Sequence, residues 1–280
     1  MKFSLGCALG YDVKEPTPFL FNVELAKVAT QTILTETLTL SPSLEAERWT
    51  MPETGNRYLR VVAPAGRFTL RYEADVDLNP VLESPELVTE LAAGEIPLPT
   101  LVHLYPSRYC QSDRLQRLAQ RTFGKERPGY SRVNAICNWI HDNVDYVGGA
   151  SDELTSAIDT ATERAGVCRD FSHLAISFCR ALGIPARYAS AYAWRLDPPD
   201  FHAVIEAYLR GPEGPGWYLF DPTRKSAANG LARIGIARDA AEVAFASPFG
   251  SVDFDKPDVW INAQDPSPPA APTTMAIRCE

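Results

Sequence analysis

The sequence predicts an α+β protein in three parts. These are an N-terminal antiparallel β-sandwich over residues 1–104, a core of helices packed on an antiparallel sheet over 105–265, and a Pro-rich tail over 266–280. Three observations predict it. Segments such as "TQTILTETLTL" and "GRFTLRYEADVDL" alternate polar and apolar residues with period two, and Gly, Pro and Asn punctuate them, as in sandwiches of short strands. Beyond the Pro-rich "IPLPTLVHLYPSRYC", apolar residues switch to helical spacing. After residue 185 the two-residue period returns, with "RGPEGPG" as a hairpin turn. A chain of 280 residues can bury a substantial core, and 45% hydrophobic with 22% charged residues is an ordinary globular balance.

The elements follow in order. "MKFSLGCALGYDV" has an apolar stretch of only about seven residues, interrupted by glycine and followed by Asp12 and Lys14. It reads as a first strand and not as an export signal. "RYLRVVAP" and "GRFTLRYEADVDL" continue the sandwich, which reads as self-contained and without chemistry of its own. The linker "GEIPLPTLVHLYPS" is expected to hold the two parts semi-rigidly. "CQSDRLQRLAQRTF" sets Leu115, Leu118 and Phe123 on one side of a helix that Gly124 stops. In "GYSRVNAICNWIHDNVDY", Val133, Ile136, Ile140 and Val144 recur helically, with Ser131 as the expected cap and Cys137 and Trp139 in the core. "TSAIDTATERAG" is a short helix. "AGVCRDFSHLAISFCRALGIPARY" carries the stripe Phe171, Leu174, Ala175, Phe178 and Leu182, then Gly183 and Pro185 end the helix. "ARYASAYAW", "HAVIEAYL" and "GWYLFDP" are strands. The tail "DPSPPAAPTTMAIRCE" is expected to run over the surface or stay disordered.

Charge and cysteine usage exclude several function classes. A net charge of −8 argues against nucleic acid, whose binding rests on Lys and Arg at phosphates. No apolar run approaches the roughly eighteen residues that span a membrane. The six cysteines (Cys7, Cys110, Cys137, Cys168, Cys179, Cys279) form no C-x-x-C pair, and the four histidines form no H-x-x-x-H pattern. No metal site or cofactor is therefore expected, and reduced thiols in a cytoplasmic protein are the simplest reading.

One cysteine stands apart. Cys168 follows Gly-Val where the amphipathic helix begins. Unpaired backbone N–H groups and the helix dipole favour negative charge there, which suits an attacking thiolate and an oxyanion beside it. Gly166 is expected to let backbone and substrate approach closely. A thiolate nucleophile needs a base and the base an orienting partner. "DPPDFHAVIEAYL" supplies His202 at a strand start, and "GWYLFDPTR" supplies Asp221 at the end of the next strand. Pairing Tyr208 with Trp217 sets Val204 opposite Asp221, so His202 and Asp221 share a face one diagonal step apart, within side-chain reach. A slip of one residue would separate them. His173, five residues past Cys168, points about 140° away from it and is no rival base.

"GVCRDFSHLAISFCRALGIPARY", "DPPDFHAVIEAYL" and "WYLFDPTR" resemble, in this order, the transglutaminase-like superfamily, specifically bacterial members described as candidate cysteine proteases. The resemblance covers roughly residues 105–250, and the first hundred residues look like the β-rich region that accompanies this core. It implies a papain-like core and a triad of Cys168, His202 and Asp221. One departure is Val204 where an aromatic residue often follows His-Ala. The resemblance also implies an oxyanion donor from upstream, for which Tyr146 and Trp139 are candidates beside the Cys168 backbone N–H. The triad supports acyl transfer from a peptide or glutamine amide of a peptide or protein substrate through a thioester. Hydrolysis is expected because the chain lacks the extra C-terminal domains of animal-type cross-linkers and an acidic calcium loop. The alternatives are glutamine–lysine cross-linking, acetyl transfer to an arylamine, and a non-catalytic peptide-binding module.

Overall fold

The architecture, seen in a computed structural model that describes residues 1–264 and 274–279, is α+β with antiparallel sheets. The N-terminal strands are β1 (Lys2–Val13), β2 (Thr17–Phe21), β3 (Gln31–Ser41), β4 (Glu47–Thr50), β5 (Arg57–Ala63), β6 (Gly66–Leu78) and the short β7 (Val81–Glu83). The middle of the chain holds α1 (Ser112–Phe123), α2 (Tyr130–Asn143), β8 (Asp145–Tyr146), α3 (Ala157–Glu163), β9 (Ala165–Gly166) and α4 (Cys168–Ala181). Then come β10 (Ala186–Ala193), β11 (Phe201–Gly211), β12 (Gly214–Phe220), β13 (Leu231–Ala237), β14 (Ala246–Pro248), β15 (Val252–Phe254), β16 (Asp258–Ala263) and β17 (Ala276–Arg278).

Two sheets form the sandwich, one ordered β15-β1-β6-β3 with β16 also on β1, the other β14-β2-β5-β4. Their facing residues are those the period-two pattern puts on one side. Phe3, Leu5, Cys7 and Leu9 of β1 meet Phe68, Leu70 and Tyr72 of β6, with Phe19 and Phe21 across the gap. The rings of Tyr11, Phe19, Phe21 and Phe68 pack with centroids 4.9–6.2 Å apart, the separations at which aromatic pairs attract. Residues 246–263 belong to these sheets, not to the sheet of the core as residues 105–265 were read. β14 pairs with β2, and β15 and β16 share one edge of β1. Nor is the sandwich self-contained, because Tyr192, Ala232 and Ile234 of the other sheet complete its core.

That other sheet runs β13-β10-β11-β12-β17-β7. Ala203, Ile205, Ala207 and Leu209 of β11 bury against Phe171, Leu174, Ala175 and Phe178 of α4, and α1 and α2 cover the helix from outside. Opposite them Val204, Trp217, Leu219 and Ile277 form a second apolar layer. Of the tail, 265–273 and 280 lie outside the described residues. Ala276–Arg278, expected on the surface or disordered, is a strand between β12 and β7. Helix α2 begins at Tyr130 with Gly129 before it, so Ser131 lies inside the helix and not at its cap. Helix α4 ends as expected. Gly183 takes a left-handed φ of 84°, which lets its N–H reach Arg180 O (3.0 Å) and Ile184 N–H reach Cys179 O (2.9 Å). The buried Arg180 then donates to Ala186 O, Arg238 O and Tyr105 O, fixing the helix on the sheet. No helix among the described residues is long and apolar enough to cross a membrane.

Candidate active site

Cys168 is the first residue of α4, after an extended Val167. Asp170, two residues on and fully buried, stabilises this helix start. It accepts hydrogen bonds from Val167 N–H (2.8 Å), Ser151 Oγ (2.5 Å), and Arg169 Nε (3.1 Å) and Nη2 (2.9 Å). Arg169 also donates to Asp152 O at 2.6 Å. The Arg-Asp pair after the cysteine is thus spent on the helix N-terminus and the loop over it. The room that Gly166 provides is taken by Asp170 and not by a substrate: a Cβ on Gly166 would stand 2.6 Å from Asp170 Cβ. The helix start that presents Cys168 is therefore held in place, with the positive end of the helix dipole at the sulfur.

His202 and Asp221 come together as the hairpin register requires. Tyr208 pairs with Trp217 and the ladder runs on to Ile205 and Phe220, where β12 ends and Asp221 follows. His202, 2% exposed, places Nε2 3.0 Å from Asp221 Oδ2. Its Nδ1 is buried and makes no hydrogen bond, and the Cys168 sulfur acts on the same ring. Burial alone would push the imidazole down. The charge and hydrogen bond of Asp221, with the sulfur, outweigh burial and raise His202 to about 10. Burial would likewise raise Asp221, but His202 and the hydroxyls of Thr223 and Ser226 hold it at about 2. Sequence reasoning missed those hydroxyls. Thr223 donates its N–H (2.9 Å) and Oγ1 (2.7 Å) to Asp221 Oδ1, and Ser226 donates Oγ to Oδ2 (2.7 Å). The signal was present: an Asp two residues before a Thr is the pattern of a side chain that closes its own turn.

The two aromatic candidates for an oxyanion donor part ways. Trp139 packs edge-on against Phe123 and Phe178 with Arg164 over its ring at 4.5 Å, a core residue. Tyr146 pairs with Gly166 through the β8–β9 bridge, and its hydroxyl meets both the backbone N–H and the sulfur of Cys168. Burial, then the sulfur's charge, raise this phenol above its ordinary value, so it stays protonated. Lys225 Nζ caps its ring at 4.4 Å. His173 lies buried between Tyr109 (5.0 Å) and Tyr188 (5.5 Å) and accepts Ala240 N–H through Nε2 (3.2 Å). Burial holds it at about 3, so it is neutral.

Cys168 and His202 open onto a cleft of about 520 Å³. Its walls include Tyr188, Phe201, Ile234, Val243 and Phe245, and Asn22 from the N-terminal sheets. The sandwich therefore borders the site, which the sequence did not suggest. Among the described residues, no cluster of three or more His, Cys, Asp or Glu is placed to hold a metal ion.

A cysteine opening a helix that packs on an antiparallel sheet, with a His–Asp pair carried by that sheet, is the layout of the papain-like class. Residues 116–222 match the transglutaminase-like superfamily, and residues 1–92 match the bacterial transglutaminase N-terminal domain. A candidate cysteine protease from Cytophaga hutchinsonii, known from its crystal structure, is 40% identical with a TM-score of 0.93, covering 100% of this chain and 97% of that one. The chain belongs to the transglutaminase-like superfamily, with the N-terminal domain of its bacterial members. It is also 28% identical over 165 residues to an uncharacterized protein of Mycobacterium leprae, covering 54% of this chain and 57% of that one. An uncharacterized protein of Mycobacterium tuberculosis is 26% identical over 230 residues, covering 74% of this chain and 73% of that one.

Proposed function

We propose that the protein is a thiol-dependent amidohydrolase acting on peptide or glutamine amides, with Cys168 as nucleophile, His202 as base and acid, and Asp221 as the group that orients and charges the imidazole. The observation that carries this reading is the buried His202, bonded to Asp221 through one nitrogen while the other is unpartnered beside a helix-opening thiol. With His202 already charged, Cys168 Sγ attacks as the thiolate and bonds to the amide carbon. The C–N bond then breaks and the imidazolium gives its proton to the leaving amine or ammonia. Water, deprotonated by the now neutral His202, attacks the thioester; the C–S bond breaks and the carboxylic acid leaves, restoring the thiolate and the imidazolium. The Cys168 backbone N–H and the Tyr146 hydroxyl hold the oxyanion. Asp221, kept ionised, stabilises the imidazolium and accepts no proton. The likeness to the Cytophaga candidate cysteine protease favours hydrolysis over cross-linking. The reduced thiol and the peptide-sized cleft fit a cytoplasmic enzyme acting on peptide or protein substrates.

The test is intact-mass spectrometry of the protein quenched during exposure to a library of peptides and glutamine-containing peptides. An acyl adduct on Cys168 that water resolves is the expected result. Resolution by an added amine in preference to water would make the protein a cross-linker. Peptide binding without any adduct would make it a binding module.

A further inference from the structure

The N-terminal sheets place one polar side chain on the cleft that nothing in the reaction uses. Asn22 follows β2 and is 1% exposed. Its backbone N–H donates to Phe245 O (3.1 Å) and its Nδ2 to Arg57 O (2.8 Å), so backbone and side chain are each anchored. Its Oδ1 is buried and has no hydrogen-bond partner, although Asn22 lines the same cleft as Cys168 and His202. A buried amide oxygen without a donor is unfavourable, and proteins rarely keep one without a reason. The missing side chain of Gly235 makes room for the oxygen itself. A Cβ on Gly235 of β13 would stand 2.7 Å from this oxygen. Beside it the cleft is apolar: the rings of Phe201 and Phe245 stack at 4.8 Å, and Ile234 and Val243 continue the wall.

An oxygen that wants an N–H, next to an apolar wall, fits one kind of ligand, a peptide whose backbone amide and bulky apolar side chain lie close together. We propose that Asn22 is a specificity-determining residue, its Oδ1 accepting a backbone N–H of a bound peptide while that peptide's aromatic or large aliphatic side chain packs on Phe201 and Phe245, next to the amide offered to Cys168. This rests on the acyl-transfer reading for what happens to the peptide, but binding is independent of it.

The experiment therefore reads binding in the full chain carrying Cys168→Ala, which cannot turn its ligand over. Fluorescent peptides are compared in matched pairs, Phe or Leu against Ser at each position, and backbone N–H against N-methyl at each position. Phe or Leu is expected to bind about tenfold tighter at one position, a preference that Phe245→Ala at the half-exposed wall removes. N-methylation at one site is expected to weaken binding about tenfold, a loss absent when Asn22→Ala is added. An unchanged preference for Phe or Leu over Ser in Asn22→Ala guards against a fold defect in that variant. Equal affinity for Phe and Ser peptides throughout, or an N-methyl penalty indifferent to Asn22, overturns the proposal. If the preferences hold while the unsubstituted protein forms no acyl adduct with the same peptides, the peptide site stands and the proposed reaction falls.

Discussion

At the scale of single residues, the site stands on the charge held between His202 and Asp221. Folded His202 keeps its proton up to about 10, against 6.5 ordinarily. The stability it contributes is complete below pH 6.5 and is lost as the pH rises towards 10. Asp221, at about 2 against 3.8, contributes stability present above pH 3.8 and lost as the pH falls towards 2. We expect side-chain NMR to find His202 as an imidazolium through neutral pH while His173 and His103, both held near 3 by burial, stay neutral. A His202 resonance titrating near 6.5 would contradict the ion pair, and in Asp221→Asn its titration should move down. Cys168→Ala should lower turnover by about four to six orders of magnitude with the fold kept, and His202→Ala nearly as much, because members of one catalytic unit are strongly non-additive. Asp221→Asn should cost less than either. Tyr146→Phe should lower kcat about a hundredfold with little change in KM, the mark of a donor used only in the transition state. An unchanged kcat would leave the Cys168 backbone N–H without that partner.

At the scale of elements, the start of α4 is held by one buried carboxylate. Asp170→Ala removes the acceptor for Val167 N–H and Ser151 Oγ together and should cost about 1–3 kcal/mol in a urea titration. Gly166→Ala should destabilise as well, since the new methyl meets Asp170, and both variants should slow Cys168 alkylation by letting the helix start fray. Full stability in Gly166→Ala would show that Asp170 yields easily. Much of this element was readable in the chain. Phe171, Leu174 and Phe178 fixed the buried face, Gly183 the end, and the position of Cys168 before that face its address at the N-terminus. The hairpin was readable from "RGPEGPG", but its register was only assumed from the chain; the turn between Gly211 and Gly214 is what sets Tyr208 against Trp217. The role of Gly166 was not, because nothing local shows that Asp170 folds back beneath it.

At the scale of the whole molecule, strands from distant parts of the chain close each other's sheets. Residues 252–263 add to β1, and residues 276–278 join β12 to β7. These segments are three to six residues long, too short for period-two alternation to reveal, and their partners lie more than 50 residues away, so no local pattern could disclose them. Asn22 was hidden for the same reason: "FNVELAK" carries no sign that it will face a cleft whose other walls come from residues 109–245. Such interleaving predicts a single cooperative thermal transition by calorimetry, with two resolved transitions as the contrary result. A chain beginning near Leu104 should lose the burial of Tyr192, Ala232 and Ile234 and the pairing of β14–β16. Expressed alone, it should be insoluble or show ordinary, unselective alkylation of all its cysteines.

The late return of β14–β16 also sets the order of events during synthesis. Cys168, His202 and Asp221 have all left the ribosome while one edge of β1 is still unpaired, waiting for residues 252–263. The last wall of the cleft, through Phe245, arrives only just before them. A nascent chain therefore carries the thiol but not the enclosure around it, and an open twelve-residue strand edge that invites mispairing until its partners emerge. The enclosure of the site is therefore complete only once residues 252–263 have emerged and paired with β1.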